Sequence, residues 1–208
     1  MSDPANSGNA IRQDVRRAAE IIRAGGIVAF PTETYYGLAV DAFNVDALAR
    51  LFKVKRRDAD KPVLTLIPAI DHLFRLVKNV PAPFRALMEL FWPGPLTLVF
   101  EGQNNLPGLL TGGTGTIGVR ISSHPVAQLL VEAVGVPITA TSANISGNVP
   151  AVNARQVEKQ LGSNLALLID GGETPGGKGS TIIGWRDEEL ILIRDGVIPF
   201  DRILSVFR

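Results

Sequence analysis

The sequence predicts a single α/β domain, residues 1–208 with a core from about residue 11 to residue 200, in which helices flank a twisted mixed sheet. Apolar runs of strand-like composition alternate with stretches of helical spacing along most of the chain. The last two runs, "STIIGW" and "LILIR", are joined by the short polar link "RDEE", which is typical of a hairpin. The sequence contains no repeat, low-complexity tract or linker, which favours one domain.

Glycines and prolines divide the first part of the chain into elements. Apolar residues at helical spacing, Val15 and Ile22 among them, predict an N-terminal helix that ends at Gly25. The run "IVAF" then predicts a buried strand that Pro31 breaks. Asn44 predicts the N-cap of a second helix, which carries a cluster of basic residues at its end.

The rest of the chain continues the alternation of strands and helices. The runs "PVLTLI", "LTLVF", "TIGVRI", "PITAT" and "LALLI" predict strands. Residues 72–78 and 84–91 have helical spacing. The stretch "PVAQLLVEAV" predicts a further helix, which begins near Pro125 and ends at Gly135.

Composition excludes several classes of function. The 21 Lys and Arg balance 20 Asp and Glu, so nucleic-acid binding would need a local basic patch. The absence of cysteine excludes disulfides, thiolate zinc sites and a cysteine nucleophile. His72 and His124 have no partner at ligand spacing, so no metal site is predicted. A polar start and short apolar runs predict no signal peptide, no membrane span and a cytoplasmic protein.

Two glycine-rich stretches match nucleotide-binding motifs but not their context. "GTGTIG", residues 113–118, fits the dinucleotide fingerprint, yet a predicted strand follows it where a helix is required. "GETPGGKG", residues 172–179, is close to a P-loop, but Gly179 stands where a Ser or Thr should bind Mg²⁺. We therefore expect neither stretch to bind a nucleotide in the way its motif suggests.

The segment "KVKRRDADKPV", residues 53–63, concentrates positive charge in a chain whose formal net charge is only +1. Like charges this close repel one another, so either water screens them on a solvated helix end or the segment binds an anion. The sequence of this segment alone leaves both interpretations open.

Three further polar segments lie at predicted strand ends. "PTET" follows the first strand, "TSAN" ends "PITAT", and Arg120 lies in "TIGVRI", where alternation places it on the same face as Gly118. Ligands gather beyond the carboxyl ends of strands in open α/β sheets, so "PTET" and "TSAN" are expected to face one crevice. Structural alternatives are a turn with self-bonded hydroxyls for "PTET", a cap for Ser142 and an ion pair for Arg120. A glycine beside Arg120 predicts room for a ligand there.

Five segments, "FPTETYYGLAVDA", "FKVKRRDADKPV", "WPGPLTLVF", "VRISSHPVAQLL" and "PITATSANISG", resemble the signature segments of the YrdC/TsaC family in the family's order. This resemblance implies a YrdC-like fold of the short, single-domain type. It also implies a nucleotidyltransferase, L-threonylcarbamoyladenylate synthase, that converts L-threonine, bicarbonate and ATP to threonylcarbamoyl-AMP and pyrophosphate, with Mg²⁺ accompanying ATP.

The same resemblance implies partners and site residues. The product would pass to proteins of a threonylcarbamoyl-transferase complex for tRNA modification, and the resemblance also implies affinity for tRNA or double-stranded RNA. Lys53 and Arg56 match no ligand position and are expected on a solvated face. The residues implied to bind ATP are Lys55, Arg57, Lys61, Thr116, Ser142, Asn144 and Arg194, of which Lys55, Arg57, Ser142 and Asn144 are implied to be catalytic; those implied to bind threonine are Thr34, Arg120 and Ala140.

Two alternative functions stay open from the residues. An RNA-binding protein without this activity would use the same basic segment for phosphate backbones, but would have no need of "PTET" and "TSAN". A YciO-like paralogue would act on another carbamoyl or acyl substrate.

Overall fold

The computed structural model describes the backbone of residues 4–207 and the side chains of residues 8–207. The ends of the predicted domain, residues 1–3 and 208, lie outside the described residues. The helices alternate with strands, as predicted. The α-helices are α1 (Pro4–Arg23), α2 (Val45–Lys55), α3 (Ala82–Phe91), α4 (Gly108–Thr111), α5 (Pro125–Val134), α6 (Ala154–Leu161) and α7 (Phe200–Leu204), and 3-10 helices cover Ile70–Arg75, Gly162–Asn164 and Ser205–Phe207.

The strands form two mixed sheets. A four-stranded sheet has the order β7-β2-β1-β8, and a six-stranded sheet has the order β10-β9-β4-β5-β3-β6. Each sheet contains both parallel and antiparallel pairs. The strands are β1 (Val28–Pro31), β2 (Tyr36–Ala39), β3 (Thr65–Leu66), β4 (Leu96–Glu101), β5 (Thr116–Arg120), β6 (Ile138–Thr139), β7 (Thr141–Ser142), β8 (Leu167–Leu168), β9 (Thr181–Arg186) and β10 (Glu189–Arg194).

The predicted α/β class is confirmed, but the single predicted sheet is two sheets. The difference arises in "PITAT", which was expected to be one strand. Thr139 pairs with Thr65 in the six-stranded sheet, whereas Thr141 pairs with Leu38 in the four-stranded sheet. The chain crosses between the sheets at Ala140, whose backbone N–H donates to the Leu64 carbonyl at 2.8 Å.

The first strand is buried on both faces and separates two parts of the core. Val28 and Phe30 pack with apolar residues of α1 and α5, whereas Ala29 packs with the larger cluster beneath the six-stranded sheet. A strand covered on both sides requires continuous apolar residues, which explains the unbroken run "IVAF".

Several local predictions are confirmed by backbone geometry. The Asn44 side chain accepts from the Ala47 N–H at 2.9 Å and caps α2. Gly135 ends α5 in the left-handed conformation. The hairpin of β9 and β10 turns at Asp187 and Glu188, both of which have positive φ angles, 51° and 61°. Two left-handed residues match the right-handed twist of the flanking strands.

Other elements are shorter or different from those predicted. "PVLTLI" contributes only Thr65 and Leu66 to a strand. Pro62 opens the run and Pro68 follows it, and proline cannot donate to a ladder; the Val63 N–H bonds instead to the Leu110 carbonyl of α4. "LALLI" likewise pairs over two residues only. The stretch predicted as helical from residue 72 is a 3-10 helix that begins at Ile70.

Candidate active site

A cavity of about 380 Å³ opens at the crossing between the two sheets. It lies beyond the carboxyl ends of β1 and β5, where the predicted polar segments come together. The expected convergence of "PTET" and "TSAN" on one crevice is therefore confirmed. Six of the predicted site residues line the cavity: Thr34, Arg57, Arg120, Ala140, Ser142 and Arg194.

The "PTET" segment forms a turn held by its own hydroxyl groups. Thr32 Oγ1 donates to the Tyr35 carbonyl at 2.7 Å and accepts from the Thr34 N–H at 3.2 Å. The Thr32 and Thr34 hydroxyls lie 3.1 Å apart, within hydrogen-bond distance. The predicted self-bonded turn is thus present, and the same turn places both threonines at the cavity wall.

The "TSAN" segment forms a second hydrogen-bonded loop. Ser142 Oγ donates to Asn144 Oδ1 at 2.6 Å, and the Asn144 amide donates to the carbonyls of Ile145 and Asn148 at 2.9 and 2.8 Å. Ser142 lines the cavity, whereas Asn144 lies behind it, buried and with its amide bonded within the loop. Direct ATP binding by Asn144 stays a prediction, and in this geometry the side chain orients Ser142.

Lys55 lies beneath the "TSAN" loop rather than in the cavity. The residue is 1% exposed, and its ammonium donates to the carbonyls of Ser142 and, at 2.8 Å, Asn144. Burial, with added repulsion from Arg57, lowers the pKa of Lys55 to about 7. Direct contact of Lys55 with ATP also stays a prediction, because the ammonium is already bonded to two carbonyl oxygens.

Two residues of the basic segment, Arg57 and Pro62, line the cavity, and Arg57 brings a positive charge to it. Its guanidinium donates to the carbonyls of Lys61 at 3.2 Å and Pro62 at 2.7 Å, which fixes the side chain across its own loop. Partial burial lowers the pKa of Arg57, and the carboxylates of Asp58 and Asp60 oppose that shift.

Lys61 and Thr116 lie apart from the cavity lining. Lys61 is exposed and forms an ion pair with Asp58 at 2.6 Å. Thr116 begins β5, four residues before Arg120, so the two lie about 13 Å apart along the strand. The Thr116 hydroxyl lies 2.8 Å from that of Thr114. The predicted contacts of Lys61 and Thr116 with ATP are untested by this geometry and stay predictions.

Arg120 lines the cavity while paired with an acid that the sequence analysis did not single out. The residue is 5% exposed, and its Nη1 lies 3.2 Å from Glu33 Oε1. Burial lowers the pKa of Arg120, and Glu33 opposes this effect. The expected ion-pair alternative is thus confirmed together with the cavity position. Glu33 stands between the two threonines of "PTET", and this position was its only signal in the sequence.

The space predicted beside Gly118 is not available to a ligand. A Cβ atom at Gly118 would lie 2.5 Å from a methyl carbon of Leu64 and 3.2 Å from one of Thr97. The glycine therefore allows close packing of the strands. The prediction of ligand room at this glycine was wrong because alternation gives the face of a residue but not what covers that face.

Arg194 reaches the cavity from the last strand and contacts Ser180. Its Nε and Nη2 donate to the Ser180 carbonyl at 3.1 and 2.7 Å, and Nη2 also donates to Ser180 Oγ at 3.0 Å. Partial desolvation, followed by repulsion from Arg120, lowers the pKa of Arg194. Ser180 also lines the cavity; it was not among the predicted site residues, although it directly follows the glycine-rich stretch "GETPGGKG".

Lys53 and Arg56 lie in a different groove, of about 670 Å³, together with Arg50. Arg56 ends α2 in the left-handed conformation, with φ of 49°, which directs it away from its neighbour Arg57. All three groove cations are exposed. The expectation that Lys53 and Arg56 occupy a solvated face is confirmed.

The two glycine-rich motifs have the contexts expected from the sequence. β5 begins inside "GTGTIG", and β9, not a helix, follows "GETPGGKG".

His124 accepts from the Val126 N–H at 3.2 Å and caps α5. Within residues 4–207, no group of three His, Asp or Glu side chains is arranged to hold a metal, and no helix has the length and apolarity to span a membrane.

Fold and site together define an α/β domain whose cavity is complementary to anions, since three arginines and several hydroxyl donors line it. Comparison with known proteins gives the family. A family model described as "Sua5_yciO_yrdC: Telomere recombination" matches residues 20–196. The chain belongs to this Sua5/YciO/YrdC family, as the resemblance of its five segments predicted.

Similar proteins and a similar crystal structure extend this comparison. The threonylcarbamoyl-AMP synthase of Pyrococcus abyssi is 41% identical over 192 residues, and that of Bacillus subtilis is 37% identical over 193 residues. Each match covers 92% of this chain but 56% of the relative, so the chain spans little more than half their length. The crystal structure of P. abyssi Sua5 complexed with L-threonine superposes with a TM-score of 0.91 and 40% identity, covering 94% of this chain and 57% of that chain.

Proposed function

We propose that this protein synthesises L-threonylcarbamoyl-AMP from L-threonine, bicarbonate and ATP and releases pyrophosphate. The observation that carries the proposal is the convergence of Arg57, Arg120 and Arg194 with the hydroxyls of Thr34 and Ser142 on one cavity. The names of the Pyrococcus and Bacillus relatives, and the threonine complex of P. abyssi Sua5, support this choice among anionic ligands.

The proposed reaction begins with carbamoylation of threonine. The threonine ammonium first loses a proton to water. The resulting amine attacks the carbon of bicarbonate and water leaves, so the product is a carbamate. Arg120 is proposed to hold the threonine carboxylate, and Thr34 the substrate hydroxyl. Both residues line the cavity, and the backbone of Ala140 lies beside them. Fixing a small substrate at three points reduces the entropic cost of reaching the transition state.

The second step is adenylation. A carbamate oxygen attacks the α-phosphorus of ATP, the bond to the β-phosphate oxygen breaks, and pyrophosphate leaves. Such a step depends on alignment and charge stabilisation more than on a covalent enzyme intermediate. Arg57 and Arg194 are proposed to stabilise the phosphate oxygens, and Ser142 adds a neutral donor. Mg²⁺ is proposed to enter bound to the ATP phosphates, as part of that substrate.

Lys55 and Asn144 are proposed to act through the "TSAN" loop. Lys55 bonds the loop carbonyls from below, and Asn144 accepts from the Ser142 hydroxyl. Together they keep Ser142 at the cavity wall before ATP binds. Groups already in position need no reorganisation in the transition state, which is where most electrostatic catalysis originates.

The product is proposed to pass to a threonylcarbamoyl-transferase complex, which places its acyl group on tRNA. An acyl adenylate is a mixed anhydride and is readily attacked by an amine. Its direct transfer to a partner protein would limit hydrolysis in water. This step, and contact of tRNA with this chain, rest on the family resemblance of the five sequence segments; the names of the relatives support only the synthesis of threonylcarbamoyl-AMP.

The experiment that tests the proposal follows pyrophosphate release from ATP and bicarbonate with each amino acid in turn. Threonine is expected to support release, and valine to be rejected by about 10⁴-fold or more if the site hydrogen-bonds the substrate hydroxyl. Omission of bicarbonate should abolish release. Release that is independent of the amino acid, or a preference for another amino acid, would contradict the proposed function.

A further inference from the structure

Glu33 joins the ends of two strands from different sheets. It follows β1 of the four-stranded sheet, and its side chain is 12% exposed. One carboxylate oxygen, Oε2, accepts from the hydroxyl of Ser122, which follows β5 of the six-stranded sheet. The other, Oε1, lies 3.2 Å from Nη1 of Arg120, the last residue of β5.

This carboxylate lies behind Arg120 as seen from the cavity. Arg120 lines the cavity and Glu33 does not. The contact between Oε1 and Nη1 lacks hydrogen-bond alignment, and Oε1 is buried without a hydrogen-bond donor among the described residues. The interaction is therefore mainly one of charge. Ser122 is itself fixed, because its hydroxyl oxygen accepts from the His124 N–H at 3.2 Å.

The charge of Glu33 matters because two arginines approach this end of the cavity. Arg120 and Arg194 line the same cavity, and repulsion from Arg120 contributes to the lowered pKa of Arg194. Without an acid, this end of the cavity would carry two positive charges and would attract a polyphosphate. With Glu33, the Arg120 pair is neutral overall, while the remaining guanidinium N–H groups keep their capacity to bind a carboxylate.

We infer that Glu33 is a positioning residue that fixes Arg120 and balances its charge, so that this end of the cavity selects a zwitterionic amino acid over a further phosphate group. The inference rests on the proposed function, because it concerns the end of the cavity assigned there to threonine. It separates the two ligands by net charge: a zwitterion is neutral, whereas each phosphate group of ATP is anionic.

The test measures the binding of L-threonine and of inorganic triphosphate separately by calorimetry. Glu33→Gln keeps the size of the side chain and removes its charge. It is expected to weaken threonine binding about tenfold, as the loss of one charge-assisted contact would. Triphosphate is expected to bind about threefold to tenfold more tightly to this variant and to displace threonine, because the site gains a net positive charge. That gain should shrink at high salt.

Two further variants complete the test. Glu189→Gln, on the exposed last strand, removes the same charge outside the cavity and should leave both constants within about twofold of the wild type. Ser122→Ala keeps the charge of Glu33 but removes the hydrogen bond that Glu33 accepts from the Ser122 hydroxyl. It should weaken threonine binding about threefold without increasing the affinity for triphosphate. If Glu33→Gln does not fold, this milder variant tests whether Glu33 fixes Arg120, and an unchanged threonine constant would then overturn the inference.

The outcomes separate the two proposals. If Glu33→Gln weakens the binding of both ligands equally, Glu33 has only a structural role. If it changes neither binding constant, Glu33 has no role in binding. Either result overturns the inference and leaves the proposed function unaffected. Wild-type protein that binds triphosphate but no threonine overturns the proposed function. In that case a tighter triphosphate complex in Glu33→Gln still supports charge balance at Arg120, and an unchanged one overturns it.

Discussion

The cavity and the groove beside α2 are both lined by basic residues, yet the residues differ in how they are held. In the cavity, Arg57 and Arg194 donate to carbonyl oxygens and Arg120 is paired with Glu33. In the groove, Arg50 donates to the Gly25 carbonyl at 2.7 Å, but Lys53 and Arg56 are exposed and form no ion pair or side-chain hydrogen bond with any described side chain or backbone group.

This difference has a physical meaning. Cations fixed in position pay little conformational entropy when a ligand binds, and partial burial strengthens their electrostatic interactions. Exposed cations at the C-terminal end of α2 are favoured simply by the helix dipole and by water. The density of charge along the sequence therefore gives less information than the fixation of each charge in the fold.

The largest expected effect comes from Arg120→Ala. Removal of the guanidinium leaves Glu33 buried and unpaired, which should lower the free energy of unfolding by about 3–5 kcal/mol. Threonine binding should be lost, whereas ATP binding should weaken only about threefold to tenfold, because the uncompensated Glu33 charge repels phosphate. Urea denaturation measures the first effect, and calorimetry with each ligand measures the second. Arg186→Ala, an exposed residue of β9, is the control. If ATP affinity fell while threonine affinity held, Arg120 would belong to the phosphate half of the cavity.

The next largest effect on ligand binding is expected at Arg57, and its neighbour Arg56 provides the comparison. Arg57→Ala should weaken ATP binding by about 1.5–3 kcal/mol, the contribution of a charge-assisted hydrogen bond, and should remove most pyrophosphate release. Arg56→Ala should have little effect, because the left-handed residue directs its side chain into the groove. Equal losses in the two variants would show that the segment acts only as a diffuse positive field.

A separate effect is expected in the pH dependence of stability. The pKa of Lys55 is about 7 in the fold and 10.5 ordinarily, so the unfolded chain binds more protons between these values. The free energy of unfolding should therefore rise with pH across this window, and Lys55→Met should remove that part of the rise. Urea titrations at several pH values measure it. An unchanged slope in Lys55→Met, with Lys53→Met as the exposed control, would show that Lys55 stays charged throughout.

The smallest effect is expected in the groove. The double variant Lys53→Ala, Arg56→Ala should lower the free energy of unfolding by about 0.3–1 kcal/mol at low salt and less at high salt, because it removes two cations near the end of α2. Threonine and ATP binding should not change. A marked loss of either ligand would show that the groove belongs to the same site as the cavity.

The sequence predicted the parts of the fold that depend on local chemistry. Helix ends such as Asn44 and Gly135, and the final hairpin, follow from residue type and were found as expected. The position of "PTET" and "TSAN" at one crevice was also predicted, because strand ends meet at a sheet edge.

Other features depend on contacts between distant residues and could not be predicted in this way. The covering of Gly118 by Leu64, the pairing of Arg120 with Glu33 and the burial of Lys55 beneath residue 142 each join separate segments. Periodicity gives the face on which a side chain lies, but the partner on that face is set by tertiary packing. Family resemblance supplied residue positions without these partners.

The crossing of the chain at Ala140 has a mechanical consequence. On either side of this residue the backbone is hydrogen-bonded to a different sheet, and the cavity lies along the seam between them. A ligand that contacts Thr34 on one side and Arg120 on the other acts as a non-covalent crosslink between the sheets. Its binding should restrain any relative movement of the sheets, and the melting temperature should rise with the logarithm of ligand concentration.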